Sequence, residues 1–428
     1  MKILRFDSPS YERAVRALLR KSESDPAIAR TVEEIVQAVA EKGDKAVIDY
    51  TKRFGGPTLT PSTLREEGEA TVPAKVSGAI RKAKRNVLRF AKASLRKNWT
   101  MRNAEGAKVG ERFDPFQRVG IYVPGGTAPL VSTAIMTVTL AAAAGVPEIV
   151  VTTPADERGA IAPALLHALH CAGATEIYKI GGAQAIAALA IGTKTIRPVQ
   201  KIFGPGNAYV VEAKRQVFGR VAIDLLPGPS EVLVIADASA NPAWVAADLL
   251  AQAEHGKGSG MVLLTNSDAI LESVNVAISD QLKTLSRKSH LEGVLAKTAI
   301  LVRVRDLSEA VALCNAYAPE HVSVQTEDPE MISDQLTSSG AIFLGGYSPI
   351  AAGDFMAGPS HTLPTGGAGH AFPGLTADMF QRRTSVIQYD RGALSRSVEV
   401  IETFSDIEGL DAHGRSARIR LEKAPRAK

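Results

Sequence analysis

Four of the chain's eight histidines stand beside groups that could share chemistry with them. In "AQAEHG", Gln252 and His255 are three residues apart. On a helix that spacing puts the amide and the imidazole on one face. The pair could ligate a metal ion, or it could end a solvated helix with Gly256 as the stop. In "APEHVSV", Glu320 precedes His321 at the mouth of a strand. A histidine titrating near neutrality suits general acid–base work, although an adjacent Glu-His pair taken alone reads equally as a surface coincidence. Asp354 and His361 lie in "GDFMAGPSHTLPTGG", and Glu408 and His413 in "IEGLDAH". Glycine- and proline-rich loops of the first kind often carry function on a scaffold. No HExxH or CxxC occurs, so any zinc site must be assembled from distant segments. His167, His170 and Cys171 in "LHALHC" have metal-like types, but they fall in a helical stretch and read as packing or surface. His290 and His370 carry no pattern.

Three further stretches could cradle an anion. "YVPGG" (122–126), "GGAQA" (181–185) and "GPGNAYV" (204–210) each follow an expected strand and precede an expected helix. Glycine lets backbone N–H groups approach a phosphate, and a helix start favours negative charge. Parallel sheets bind ligands at the carboxyl ends of their strands. Each loop alone is also an ordinary tight turn. The full dinucleotide fingerprint is absent, because Tyr209 stands where its last glycine would be.

The elements that must position these residues alternate. β-rich runs occur at 118–124, 148–154, 176–182, 201–206, 231–237, 260–266, 299–304, 321–326 and 341–346, with helical stretches between most of them. Strand–helix alternation means parallel sheets, and the strands are too many for one doubly wound unit, so two modules are expected. Helical patterns cover 27–54 and 74–98. The second has an apolar side (Val76, Ile80, Val87, Phe90, Leu95) and a basic side from Arg81 to Lys97, which reads as a solvated face. The tail from about Thr376 shows no strand series and ends in a basic helical segment.

Length calls for two or more domains. A net charge of +5 does not argue for a polyanionic partner. Two cysteines cannot build a disulfide framework, and the N-terminus lacks a secretory h-region, which fits a reduced, cytoplasmic setting. The uncharged stretch 121–147 contains Pro124, Gly125, Gly126 and Pro129, and reads as a tight turn and a buried helix rather than a membrane span.

Taken together, "GPGNAYV", "PGPSEVLVIAD", "AQAEHG", "APEHV", "GDFMAGPSHTLPTGG" and "IEGLDAH" closely resemble the histidinol dehydrogenase family, over roughly residues 27–420. The resemblance implies an NAD-dependent, four-electron oxidation of L-histidinol to L-histidine via histidinaldehyde. It implies zinc held by Gln252, His255, Asp354 and His413, with Glu320 and His321 as the acid–base pair. Tyr122, Gln184 and Asn207 would contact NAD, one from each glycine-rich loop. Ser230, Gln252, His255, Glu320, His321, Asp354, His361, Glu408 and His413 would surround the substrate. Local departures, Gly256 after His255 and Ser360 before His361, replace no ligand. The implied fold is α/β, with two incomplete Rossmann-like parallel-sheet domains and small N- and C-terminal helical elements. The expected boundaries are an arm at 1–26, a first domain of 27–121 with 231–375 carrying zinc and catalytic residues, a second at 122–230 carrying the NAD loops, and a C-terminal element at 376–428. The family also implies a homodimer in which that element completes the partner's site, with no nucleic acid and no membrane involved. Two competing readings stay open: a relative acting on another small diol or amino alcohol, and a non-catalytic nucleic-acid binder using the basic 75–97 helix.

Overall fold

The structure, a computed structural model, describes residues 1–19, 25–125, 129–256 and 258–422. All nine expected β-rich runs form strands, and they build two parallel sheets. In chain order the strands are β1 (Lys2–Arg5), β2 (Trp99–Arg102), β3 (Lys108–Pro115), β4 (Arg118–Tyr122), β5 (Glu148–Thr152), β6 (Glu176–Tyr178), β7 (Lys201–Phe203), β8 (Ala222–Ile223), β9 (Glu231–Ala236), β10 (Gly260–Thr265), β11 (Ala299–Arg303), β12 (His321–Gln325), β13 (Ala341–Leu344) and β14 (Gln381–Gln388). One sheet has the order β1-β11-β10-β9-β12-β13, and the other β6-β5-β4-β7-β8. Every residue of β4, β9, β10 and β12 is buried. Helices on both faces demand that of central parallel strands, and runs such as "EVLVIA" supply it.

The chain divides into two units. The first is Met1–Ser94 with Phe116–Phe380, and it holds both parallel sheets. The second is Leu95–Pro115 with Gln381–Lys428. In the second, β14, β3 and β2 form an antiparallel sheet, followed by the helices Arg391–Glu408 and Asp411–Arg418. The C-terminal element is therefore not purely helical, as expected from its sequence. "QRRTSVIQ" is a strand of eight residues whose partner, β3, lies about 270 residues earlier, so no local strand series announces it.

Two of the expected boundaries also change. The segment 1–26 is not only an arm: β1 pairs in parallel with β11 and buries Leu4. Four residues are too few to show a period. The helices expected to join 231–375 lie on the other sheet. Val32, Ile35, Val39 and Val47 share a core with Ile186, Leu189 and Val210. Nothing in an amphipathic helix names the sheet its apolar stripe will cover. Gly43, at φ +54°, breaks the expected 27–54 helix into Pro26–Lys42 and Asp44–Arg53. The basic helix Ala74–Ser94 exposes Arg81, Lys82, Arg85, Arg89 and Lys92, as its pattern suggests, but also exposes Phe90.

Candidate active site

Each glycine-rich loop lies where the pattern places it, at the carboxyl end of a strand in the β4 sheet. Tyr122 ends β4, Gly181 and Gly182 follow β6, and Gly204 follows β7. The loops are tied to one another. The Gly182 N–H donates to Tyr122 Oη at 3.2 Å. A Cβ on Gly204 would fall 2.1 Å from the Tyr122 carbonyl oxygen, and its φ of +106° also demands glycine. Asn207 caps the Ala208–Val217 helix by accepting from the Tyr209 and Val210 N–H groups. Tyr122, Gln184 and Asn207, the three expected NAD contacts, line one cavity of about 520 Å³. Gln184 Oε1 is buried there without a hydrogen-bond partner among the described residues. Further lining, which the sequence did not reveal, comes from Thr31, Ile35 and Thr51 of the two helices regrouped above and from Phe54–Pro57, the turn that follows them.

Behind the third loop lies a fully buried ion pair, Lys214 with Asp224. Lys214 Nζ also donates to the Gly204 carbonyl, and the Gly204 N–H donates to Asp224 Oδ2 at 2.7 Å. Both polar atoms of Gly204 are thus fixed.

The acid–base candidates occupy the opposite kind of edge. Glu320 and His321 stand at the amino end of β12, and Ser230 just before β9. The Pro242–Ala253 helix ends here too, with Gln252 in its last turn. The helix stops two residues before His255, which is exposed and carried by the following turn, and Gly256 (φ +93°) ends the turn. Asp354 lies near the end of the Ile350–Phe355 helix. A helix packed on a parallel sheet runs against its strands, so helix ends meet strand starts.

Hydrogen bonds fix the orientation of each group. Ser230 Oγ (2.6 Å) and the Glu231 N–H (2.9 Å) donate to Glu320 Oε2. Burial nevertheless pushes the Glu320 carboxyl above the usual carboxylate range, against the pull of His321 and of these two donors. His321 Nδ1 is 2.9 Å from the Glu231 carbonyl oxygen. A carbonyl only accepts, so Nδ1 carries the proton and Nε2 presents a lone pair. That Nε2 is buried without a partner among the described residues, 3.9 Å from Asp354 Oδ1. Gln252 Nε2 is likewise buried with no partner among the described residues.

His361 bridges the two sheets. Its Nδ1–H donates to the Asp354 carbonyl at 3.1 Å, and Nε2 lies 3.1 Å from Thr133 Oγ1, in the first turn of the Val131–Ala143 helix that follows β4. Desolvation pushes the His361 pKa down, against Asp354, while His321 and His255 are close enough to lower it further. The fold thus gathers Ser230, Gln252, His255, Glu320, His321, Asp354 and His361 beside the edge that carries the glycine-rich loops. Glu408 and His413 lie in the second unit, at the end of its long helix and in its last helix. His167, as expected, is a packing residue, with Nε2 2.9 Å from Ser77 Oγ and Nδ1 3.3 Å from the Ala70 carbonyl.

The sequence reading missed Asp248, one turn before Gln252. Burial pushes its carboxyl up to about 6. The signal lay in "HVSVQ": five buried residues alternating polar and apolar need a polar partner on one face. Because the folded value lies above the unfolded value of about 3.9, the protonated group contributes stability at low pH that is lost as pH rises from about 4 to about 6. Relative to the wild type, Asp248→Asn is therefore expected to gain stability steadily over that window. Urea unfolding at several pH values measures this, and parallel curves for the two proteins would refute it.

The sequence model of the histidinol dehydrogenase family matches residues 18–421. Curated relatives of that name include one from Heliobacterium mobile, 42% identical over 412 residues (95% of this chain, 96% of the relative). Another, from Geobacillus kaustophilus, is 43% identical over 398 residues (92% and 94%). The crystal structure of histidinol dehydrogenase from Elizabethkingia anophelis superposes with a TM-score of 0.90 at 35% identity, covering 98% of both chains. Scaffold and relatives define an α/β oxidoreductase. More narrowly, the chain belongs to the histidinol dehydrogenase family.

Proposed function

We propose that this protein oxidises L-histidinol to L-histidine through histidinaldehyde, consuming two NAD⁺ per substrate, in the cytoplasm and at the end of histidine biosynthesis. The reading is carried by His321, a buried imidazole whose Nδ1–H is held by the Glu231 carbonyl while Nε2 has no partner among the described residues. Nε2 takes the alcohol proton as hydride leaves the carbinol carbon. Water then adds to the aldehyde, and Glu320, its pKa raised by burial, takes a proton from that water. The hydrate gives up the second hydride. NAD⁺, when bound along Tyr122, Gln184 and Asn207, supplies the hydride acceptor. Gln184, a lining residue whose buried Oε1 has no partner among the described residues, keeps an acceptor in reserve for a ligand donor. Ser230, His361 and Glu408 receive the substrate's imidazole end.

Gln252, His255, Asp354 and His413 would hold zinc. The donor types suit it: two imidazoles, a carboxylate and a neutral amide. Among the described residues no cluster of three His, Cys, Asp or Glu is poised for a metal. The proposed set needs only His255 and Asp354 of that kind from the first unit, with His413 coming from the second unit of a partner copy. Zinc, when bound, orients the substrate through its amine and ring nitrogen. A homodimer is supported by apolar side chains left exposed in the second unit: Trp99, Met101, Ile387, Val400, Phe404 and Ile407. No helix among the described residues is long and apolar enough to cross a membrane.

The test is NADH yield from L-histidinol, before and after chelation, with zinc content measured in His413→Ala. The expected results are two NADH per substrate, loss of turnover on chelation with recovery on adding zinc, and a lowered metal content in the variant. One NADH from a different alcohol would favour the relative with another substrate. Unchanged zinc in the variant would remove His413 from the set.

A further inference from the structure

Asp248 ties together the three elements that carry the metal and acid–base candidates. It lies on the Pro242–Ala253 helix, one turn before Gln252, and is almost wholly buried. Its Oδ2 accepts from Gln325 Nε2 at 3.2 Å and from Ser323 Oγ at 3.5 Å. Ser323 and Gln325 share the face of β12 that carries His321, because strand side chains alternate. Its Oδ1 accepts from the Ile350 N–H at 3.3 Å, at the first residue of the helix that carries Asp354.

We propose that Asp248 is a positioning residue for the oxidation. Its carboxylate sets the spacing between the Gln252 turn, His321 and Asp354 without touching substrate. The proposal rests on the assignment of those three residues to the site. Acceptors are what this junction needs, since the Ser323 hydroxyl, the Gln325 amide and a helix-start N–H all donate into it. In Asp248→Asn one of the two acceptor oxygens becomes an NH₂ donor, so either the Ile350 N–H or the Gln325–Ser323 side of the junction loses its acceptor unless the neighbouring side chains turn. A reactive geometry is sensitive to shifts of about 1 Å, which can cost about a hundredfold in rate.

The experiment compares the wild type, Asp248→Asn, and the exchange Asp248→Asn with Gln325→Glu, which restores one carboxylate facing one amide. In Asp248→Asn, kcat for L-histidinol is expected to fall about tenfold to a hundredfold, with KM for NAD⁺ changed by less than about twofold. The exchange is expected to recover most of kcat. Crystal structures are expected to show the 350–355 helix displaced from β12 in the single variant and restored in the exchange. An unchanged kcat in Asp248→Asn, a KM for NAD⁺ that rises in step with the loss, or an exchange that folds without recovering would each overturn the proposal. If Asp248→Asn does not fold, the exchange is judged alone against wild-type kcat. A wild type that makes no NADH from L-histidinol defeats the functional reading instead, and the crystallographic comparison still decides whether Asp248 spaces the three elements.

Discussion

Replacing His321 with asparagine is expected to leave a folded protein whose turnover of L-histidinol falls by about 10²–10⁴, the usual contribution of a positioned general base. Asparagine is close in size, and its amide N–H can still donate to the Glu231 carbonyl that Nδ1 engages. What it cannot supply is a basic nitrogen where Nε2 lies. The loss should appear in kcat, with KM for NAD⁺ unchanged, because the cavity lined by Tyr122, Gln184 and Asn207 is untouched. Steady-state NADH formation beside circular dichroism and metal analysis makes the comparison. Near-normal turnover in a folded, zinc-loaded variant would remove His321 as the base.

The second large effect is on stability. In Lys214→Met the Asp224 carboxylate loses its cation while remaining fully buried. Breaking one side of a buried pair costs about 3–5 kcal/mol, since the remaining charge stays desolvated. Met fills much of the aliphatic volume, so the loss is electrostatic rather than a cavity. Combining Lys214→Met with Asp224→Asn removes the stranded charge and keeps an oxygen for the Gly204 N–H. The double variant should therefore be more stable than the single one at neutral pH, although each change removes the same pair. Urea unfolding gives both values. A single variant within about 1 kcal/mol of wild type, or a double variant less stable than the single, would refute the electrostatic account.

Much of the candidate site was legible because its residues sit in motifs with distinctive local chemistry. The three glycine-rich loops announce themselves through strand–turn–helix order, and residues of all three line one cavity. Glu320 and His321 were marked by adjacency at a strand mouth. Asp248 was not, because an acid in an amphipathic helix ordinarily faces water. Only the alternation of "HVSVQ" against the apolar sheet hinted otherwise. The Phe54–Pro57 wall of the cavity escaped for a related reason. The helices that lead into it were grouped with the wrong sheet, and apolar stripes carry no address.

The sequence by itself determined the nine main parallel strands, the helical segments between them and the types of group available for chemistry. Period, propensity and turn residues are properties of short windows. Only the tertiary structure decided that Glu320 and His321 stand at the amino end of their strand while the glycine-rich loops stand at carboxyl ends of another sheet. It alone brought those edges together through His361 and Thr133, residues 228 positions apart. The physical reason is that sheet order, and which edge of one sheet meets which edge of another, follow from long-range burial of complementary apolar surfaces. No local window of the chain records that choice.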